Sequence, residues 1–320
     1  MLGTIKGVPK LPNVEFRRMV PLLREEGFYE YEVPRPISWL EYNLSQIGEA
    51  KEILEFIRDS VDACEQLVFK GKRGKPLTNP KFLAKAVLVS ELLGFTERAS
   101  EGWMDILGPF VGMRTHLDER VIGDAYDKPE VVFILKQIFD KSKSSDGRLS
   151  GDGTGLENSR KQNYESAKDY GKYLTCIVDS REVVQAFDVS GEQECRAMHG
   201  LIKKVEGKSL RLDAGFVDRK LVDEIAARGM IPYIFPKGNI NLNGHPAWKD
   251  MYMELYLDVM QWLTEYHQRS HSESFNSSFK RRNKLVTKIR SFCQLSQITA
   301  RIIIHNFRKC SYFNKLADAS

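Results

Sequence analysis

Through most of the first 145 positions apolar residues recur at helical spacing. The clearest run is Ile53, Leu54, Ile57, Val61, Cys64 and Val68, which would lie along one side of a 3.6-residue helix. The run Lys70-Gly71-Lys72-Arg73-Gly74-Lys75-Pro76 breaks the pattern. Thr78-Asn79-Pro80 then supplies an N-cap and a proline suited to the first helical turn, and the apolar helix that follows should end at Gly94. Thr96 reads as the next N-cap. Two helices across a glycine turn have the outline of a helix-turn-helix. The second of them carries Glu97, Glu101 and Asp105, which would repel phosphates, so a packing or dimerisation role stands beside DNA recognition.

After the polar run Lys141-Ser142-Lys143-Ser144-Ser145-Asp146-Gly147 the period changes from helical to extended. Strands are expected over Leu149 to Thr154, Tyr173 to Asp179 and Val183 to Val189, the last two joined as a hairpin through Asp179-Ser180-Arg181. A helix over Glu192 to Val205, a strand over Leu210 to Asp213, a helix over Asp218 to Arg228 and a strand over Ile231 to Phe235 follow, and long helices fill the remainder. The expected organisation is a helical region at 1–145 and an α/β domain at 146–320, built on a mixed five-stranded sheet with flanking helices. A right-handed crossover can return the fourth strand beside the first, on the side away from the hairpin. Asp152 and Asp213 would then be neighbours, and two carboxylates that close repel each other unless a divalent cation lies between them.

Composition narrows the setting. With 320 residues and 42% hydrophobic content, the chain can bury one large core and has material for two domains. It has no run of eighteen apolar residues, and Met1 to Gly7 lacks an apolar signal region, so a cytoplasmic protein with no membrane partner is expected, nucleoid-associated in a prokaryote. The five cysteines are scattered without the close spacing of a zinc ribbon or redox pair, and read as reduced packing residues. The net charge of +5 is unevenly spread: from Thr264 to Lys315 the only acids are Glu265 and Glu273, among many lysines and arginines. Such a segment suits DNA, because each cation on a phosphate releases condensed counterions, although a solvated helix face has the same composition.

The segment Tyr266-x2-Arg269-x3-Glu273-x6-Lys280 resembles the YREK signature of one large group of insertion-sequence DDE transposases, without departure. Gly151-Asp152-Gly153-Thr154 and Leu212-Asp213-Ala214-Gly215-Phe216 are similar to the contexts of that family's first and second aspartates. The likeness runs from about Leu149 to Phe307. It implies an RNase H-like fold in which Asp152, Asp213 and Glu273 are both catalytic residues and metal ligands for two Mg²⁺ ions, with Mn²⁺ able to substitute. It also implies cleavage at the transposon's terminal inverted repeats, then attack of the freed 3′-OH on target DNA, by a homodimer or larger assembly on DNA. Tyr266, Arg269, Lys280, Arg281 and Lys284 are the DNA-binding residues expected on this reading.

Helical geometry makes the signature intelligible by itself, since Arg269, Glu273, Asn276 and Lys280 would line one face with cations on either side of one acid. Ordinary helix salt bridges are the alternative role for Arg269 and Lys280. Two further functions stay open beside transposition: a two-metal nuclease that does not transfer strands, and a non-catalytic DNA-binding protein descended from a transposase. Other motifs carry less. Leu156 stands where a dinucleotide loop begun at Gly151 needs its third glycine, Gln268 replaces the glutamate of a zinc-protease motif around His267 and His271, and no Gly-x-Ser-x-Gly elbow occurs. Trp248, Trp262, Phe275 and Phe279 read as core rather than base-stacking platforms. Only about sixty residues separate Asp213 from Glu273, too few for the β-rich insertion that supports hairpin formation in some relatives.

Overall fold

The computed structural model describes residues 13–27, 37–67, 78–157, 172–237, 243–283 and 285–318; the expected break at Lys70 to Pro76 and Lys284, a residue expected to bind DNA, fall outside these. Six helices come first: α1 (Asn13–Glu25), α2 (Trp39–Asp62), α3 (Pro80–Leu93), α4 (Glu97–Leu107), α5 (Glu119–Ala125) and α6 (Pro129–Ser142). Strands β1 (Arg148–Gly155), β2 (Tyr173–Val178) and β3 (Val184–Ser190) follow. Next are α7 (Glu194–Ile202), β4 (Ser209–Leu212), α8 (Arg219–Ala227) and β5 (Ile231–Ile234). The remaining described elements are α9 (Pro246–Leu257), α10 (Val259–His267), α11 (Ser270–Arg282) and α12 (Ser291–Asp318). No helix among the described residues is long and apolar enough to cross a membrane.

The chain divides into two compact units, the first comprising Met1–Pro36, Ser145–Gly155 and Tyr170–Ser278, the second Ile37–Ser144, Leu156–Asp169 and Phe279–Ser320. The first holds a five-stranded sheet in the order β3-β2-β1-β4-β5. β1, β2 and β3 form an antiparallel meander, and β4 lies parallel to β1, with β5 parallel to β4. This is the RNase H-like arrangement, with the crossover returning β4 beside β1 as expected. The hairpin between β2 and β3 is closed by Asp179, whose fully buried carboxylate accepts from the backbone N–H groups of Arg181 (2.9 Å) and Val183 (2.8 Å). The Arg181 guanidinium also reaches it, at 2.9 Å. This Asx-type closure lets Glu182 take a left-handed φ of 64° in a short turn. Leu149, Met198, Leu201, Leu210, Leu212 and Ile225 are in the core of this unit, together with the aromatic residues Trp248, Tyr252 and Trp262.

In the second unit α3 is capped as the sequence indicates: Asn79 accepts from Lys81 N at 2.9 Å, Pro80 opens the helix, and Gly94 ends it at φ 69°. Thr96 caps α4 through Ala99 N. The long helix α12 packs against α2, α3 and α6, burying nearly all of Ser296 to Asn306. A polar network is built into that core. Glu91 accepts from Tyr126 Oη (2.7 Å), Gln297 Nε2 (2.9 Å) and Arg301 Nε (2.7 Å). Lys288 pairs with Glu97 and lies over the Tyr126 ring. Arg308 meets Glu49 at 2.7 Å, Lys315 meets Glu52 at 2.6 Å, and Arg290 meets Asp127 at 3.0 Å. Much of the positive charge that the sequence concentrates near the C-terminus is thus matched by acids from earlier in the chain, which composition could not reveal.

Candidate active site

Along β1, Gly151 and Gly153 face one side of the sheet while Ser150 and Asp152 face the other. The glycine side is closely covered by α7. A Cβ on Gly151 would lie 2.6 Å from Leu212 Cδ2 and 2.8 Å from Met198 Cε, and one on Gly153 would run into the Glu194 side chain. The opposite side faces the segment around α10 and α11. There Ser150 Oγ donates to the Gln268 carbonyl (3.2 Å), and Asn276 Nδ2 donates to Asp152 Oδ2 (3.0 Å). Arg211 of β4, one per cent exposed, braces the same side by ion-pairing with Glu265 and donating to Ser209 Oγ at 3.0 Å.

The parallel ladder of β1 and β4 ends with Gly151 beside Leu212, so Asp152 and Asp213 are the next residues of adjacent strands. Asp213 leads directly into a single tight turn, Ala214–Phe216, with its carbonyl accepting from Phe216 N at 3.0 Å. The third acid, Glu273, is in the first turn of α11, where the helix dipole favours an anion. Asn276 is one turn further along that helix, so the bond from Asn276 to Asp152 brings the Glu273 end of α11 to the β1 aspartate. Asp152, Asp213 and Glu273 are not all within 4.8 Å of one another.

Charge is unevenly compensated here. Burial pushes the Asp152 carboxyl up to about 6; the Gly153 N–H (2.8 Å) and the Arg269 charge pull it down, while Glu194 and Glu273 push it further up. Glu273 Oε1 is 2.6 Å from Arg269 Nη2, so Arg269 forms the helix salt bridge considered as its alternative role. Burial disfavours charge on Arg269, but Tyr266, Glu273 and Asp213 together hold its pKa above the ordinary value. Tyr266, seven per cent exposed, stacks on Trp262 with ring centroids 5.3 Å apart, and its hydroxyl is pushed up to about 12 by burial. The Arg269 guanidinium lies 5.9 Å from its ring centre. Lys280 and Arg281 are exposed in the last turn of α11, in the second unit, and form no ion pair among the described residues.

A family model described as Transposase DDE domain matches residues 143–307. The chain belongs to the DDE transposase family. Membership carries transposase-type nuclease chemistry on DNA assisted by divalent metal. No curated protein gives a match to the chain. The candidate donor set suits a hard cation, since all three candidate ligands are carboxylates and Asp152 is half-buried without a full counter-charge. Asn276 Oδ1 is buried beside Asp152 without a hydrogen-bond partner among the described residues. Spacing puts Asn276 on the Glu273 helix face but does not reveal its bond to Asp152; Glu194 has no signal in the sequence, since it sits on a separate helix and only the fold brings it to Gly153.

Proposed function

We propose that this DDE transposase cleaves DNA at the terminal inverted repeats of a mobile element and transfers the resulting 3′-OH into target DNA. The observation that carries the reading is the placement of Asp152 and Asp213 just beyond the last pair of a parallel ladder, with Asn276 tying the Glu273 helix to Asp152. Asp152, Asp213 and Glu273 would hold two Mg²⁺ ions, or Mn²⁺, which when bound stabilise charge on the attacking and leaving oxygens of an in-line displacement. The side chains have their own tasks. Asn276 fixes one Asp152 oxygen and the Gly153 N–H the other, and each oxygen keeps a lone pair with which to ligate. On taking a cation Glu273 would turn from Arg269, and the freed guanidinium would then be available to a phosphate oxygen. Tyr266 serves as the ring on which Arg269 rests.

The YREK grouping, the DNA-binding roles of Tyr266, Arg269, Lys280, Arg281 and Lys284, and the assignment of 1–145 to DNA binding or dimerisation and 146–320 to catalysis belong to the same proposal. So does an assembly of at least two chains, because two element ends must be held together before joining. Incubating the protein with labelled terminal repeats and a circular target in Mg²⁺ tests the reading. Joined products are expected. Cutting without joined products would favour the plain nuclease, and binding without cutting a non-catalytic descendant.

A further inference from the structure

In the first unit, α7 and the start of α8 gather three side chains that the carboxylate site does not use. Cys195 and His199 are four apart on α7 and share a face. Asp218 caps α8, its Oδ1 accepting from Lys220 N at 2.8 Å, while Oδ2 lies 3.4 Å from His199 Nε2. Sulfur, ring nitrogen and carboxylate oxygen all lie within 4.8 Å of one another. On the other side of the ring, His199 Nδ1 is 2.9 Å from Glu224 Oε2 of α8. With its proton on Nδ1 and bonded to Glu224, the imidazole turns a bare lone pair toward an anionic oxygen and a sulfur. Three such atoms around one point are held together by protons or by a cation, and burial and the Asp218 charge keep the Cys195 thiol protonated while no metal is bound. A proton on Nε2 would satisfy Asp218 alone, whereas a metal ion would engage all three.

We propose that Cys195, His199 and Asp218 form a binding site for a thiophilic divalent cation of the Zn²⁺ class, with solvent as fourth ligand and Glu224 orienting the histidine. Tetrahedral zinc with such donors spaces its ligand atoms roughly 3.4–3.8 Å apart, so side-chain adjustments of about 1 Å or less close the cluster. The sulfur and imidazole donors select against Mg²⁺, which separates this site chemically from the all-carboxylate one. Binding deprotonates the Cys195 thiol and releases that proton to solvent. Asp218 is five residues after Asp213, so the cation would fasten to α7 the segment that carries the second acid of the active site. Cys195 thereby gains a role beyond the packing expected of it. A His199 that merely bridges two carboxylates is the rival account.

Cobalt distinguishes the two. The full chain is stripped with chelator and titrated with Co²⁺ in excess Mg²⁺, which keeps the carboxylate site filled. One Co²⁺ per chain should produce a sulfur-to-cobalt charge-transfer band that Zn²⁺ abolishes on displacing it. The band should vanish in Cys195→Ser and persist in Asp152→Asn. Glu224→Gln should weaken affinity about 10- to 100-fold, as loss of an orienting partner does. Asp218→Asn keeps a good helix cap while removing a ligand charge, and so tests the site without threatening the fold. Saturating Zn²⁺ should raise the thermal midpoint of the wild type by roughly 5 °C and leave Cys195→Ser unchanged. A wild-type chain with no charge-transfer band, or a band that survives in Cys195→Ser, overturns the proposal while leaving the transposase reading intact.

Discussion

Glu91 is a buried acid and Asp152 a half-buried one, both held on regular elements, yet their surroundings differ in kind. Glu91 receives three side-chain donors, one of them the Arg301 guanidinium, and nothing in that arrangement is left for a ligand. Asp152 receives one backbone N–H and one neutral amide, has two other acids in electrostatic reach, and is pushed up to about 6. A satisfied buried ion network rigidifies a core, whereas a half-buried carboxylate short of positive charge is poised to take a cation or a proton. The two units therefore hold acidic side chains in opposite ways, fully paired in one and short of counter-charge in the other.

The largest expected effects break the comparison cleanly. Asp152→Asn, and likewise Asp213→Asn and Glu273→Gln, should reduce Mg²⁺-dependent end cleavage to assay background while leaving the circular dichroism of the chain unchanged. Cleavage near the wild-type rate in any of them removes that residue from the site. Glu91→Ala should do the reverse, since it strands Arg301 in the core; about 3–5 kcal/mol of stability should be lost, lowering the midpoint by roughly 10 °C. Differential scanning calorimetry at fixed pH measures it, and a shift under 2 °C would mean that the network is not structural.

A smaller effect sharpens the contrast through pH. The folded chain favours the neutral form of Asp152, so this group's contribution to stability is complete below its ordinary value of 3.8, falls as pH rises through about 6, and is absent above. Asparagine mimics the neutral form at every pH. In chelator, wild type and Asp152→Asn should be similarly stable below pH 4, diverge as pH rises from about 4 to 6, and stay apart above, with the variant ahead by about 1–3 kcal/mol. Denaturant titrations across that range decide it. A wild type at least as stable as the variant at pH 8 would show that Asp152 is compensated after all.

How much of this was legible beforehand depended on range. The sheet order followed from strand sequence and crossover handedness, and Asn79, Gly94 and Thr96 announced their helix ends, because caps and turns are local chemistry. The Tyr266 to Lys280 spacing made one helix face readable for the same reason. Partners distant in sequence were not readable. Nothing near Arg301 in the chain points to Glu91, nothing near Gly153 points to Glu194, and a count of C-terminal cations misses that Lys288, Arg308 and Lys315 are already paired. Charge composition states how many cations exist, while only the fold states how many are left for DNA.

That distinction leads to the smallest effect, in DNA binding, where the signature's two cations should no longer behave alike. Lys280 is exposed with no ion pair among the described residues, so if it contacts one phosphate, Lys280→Ala should lower the slope of log affinity against log salt by about one. Arg269 is held by Glu273, and it can serve a phosphate only after that carboxylate turns away. In Ca²⁺, which should support binding with little cutting, Glu273 is drawn toward the cation and Arg269→Ala should match Lys280→Ala. In chelator the Arg269–Glu273 pair persists, and Arg269→Ala should change the slope by much less than one. Removing the competing acid with Glu273→Gln should then restore the full Arg269 contribution in chelator. End-DNA affinities over a range of salt, with and without Ca²⁺, give all of these slopes. An Arg269→Ala slope change that is the same with and without Ca²⁺ would mean that the guanidinium does not switch between Glu273 and DNA, and its place in the signature would then be explained by the salt bridge alone.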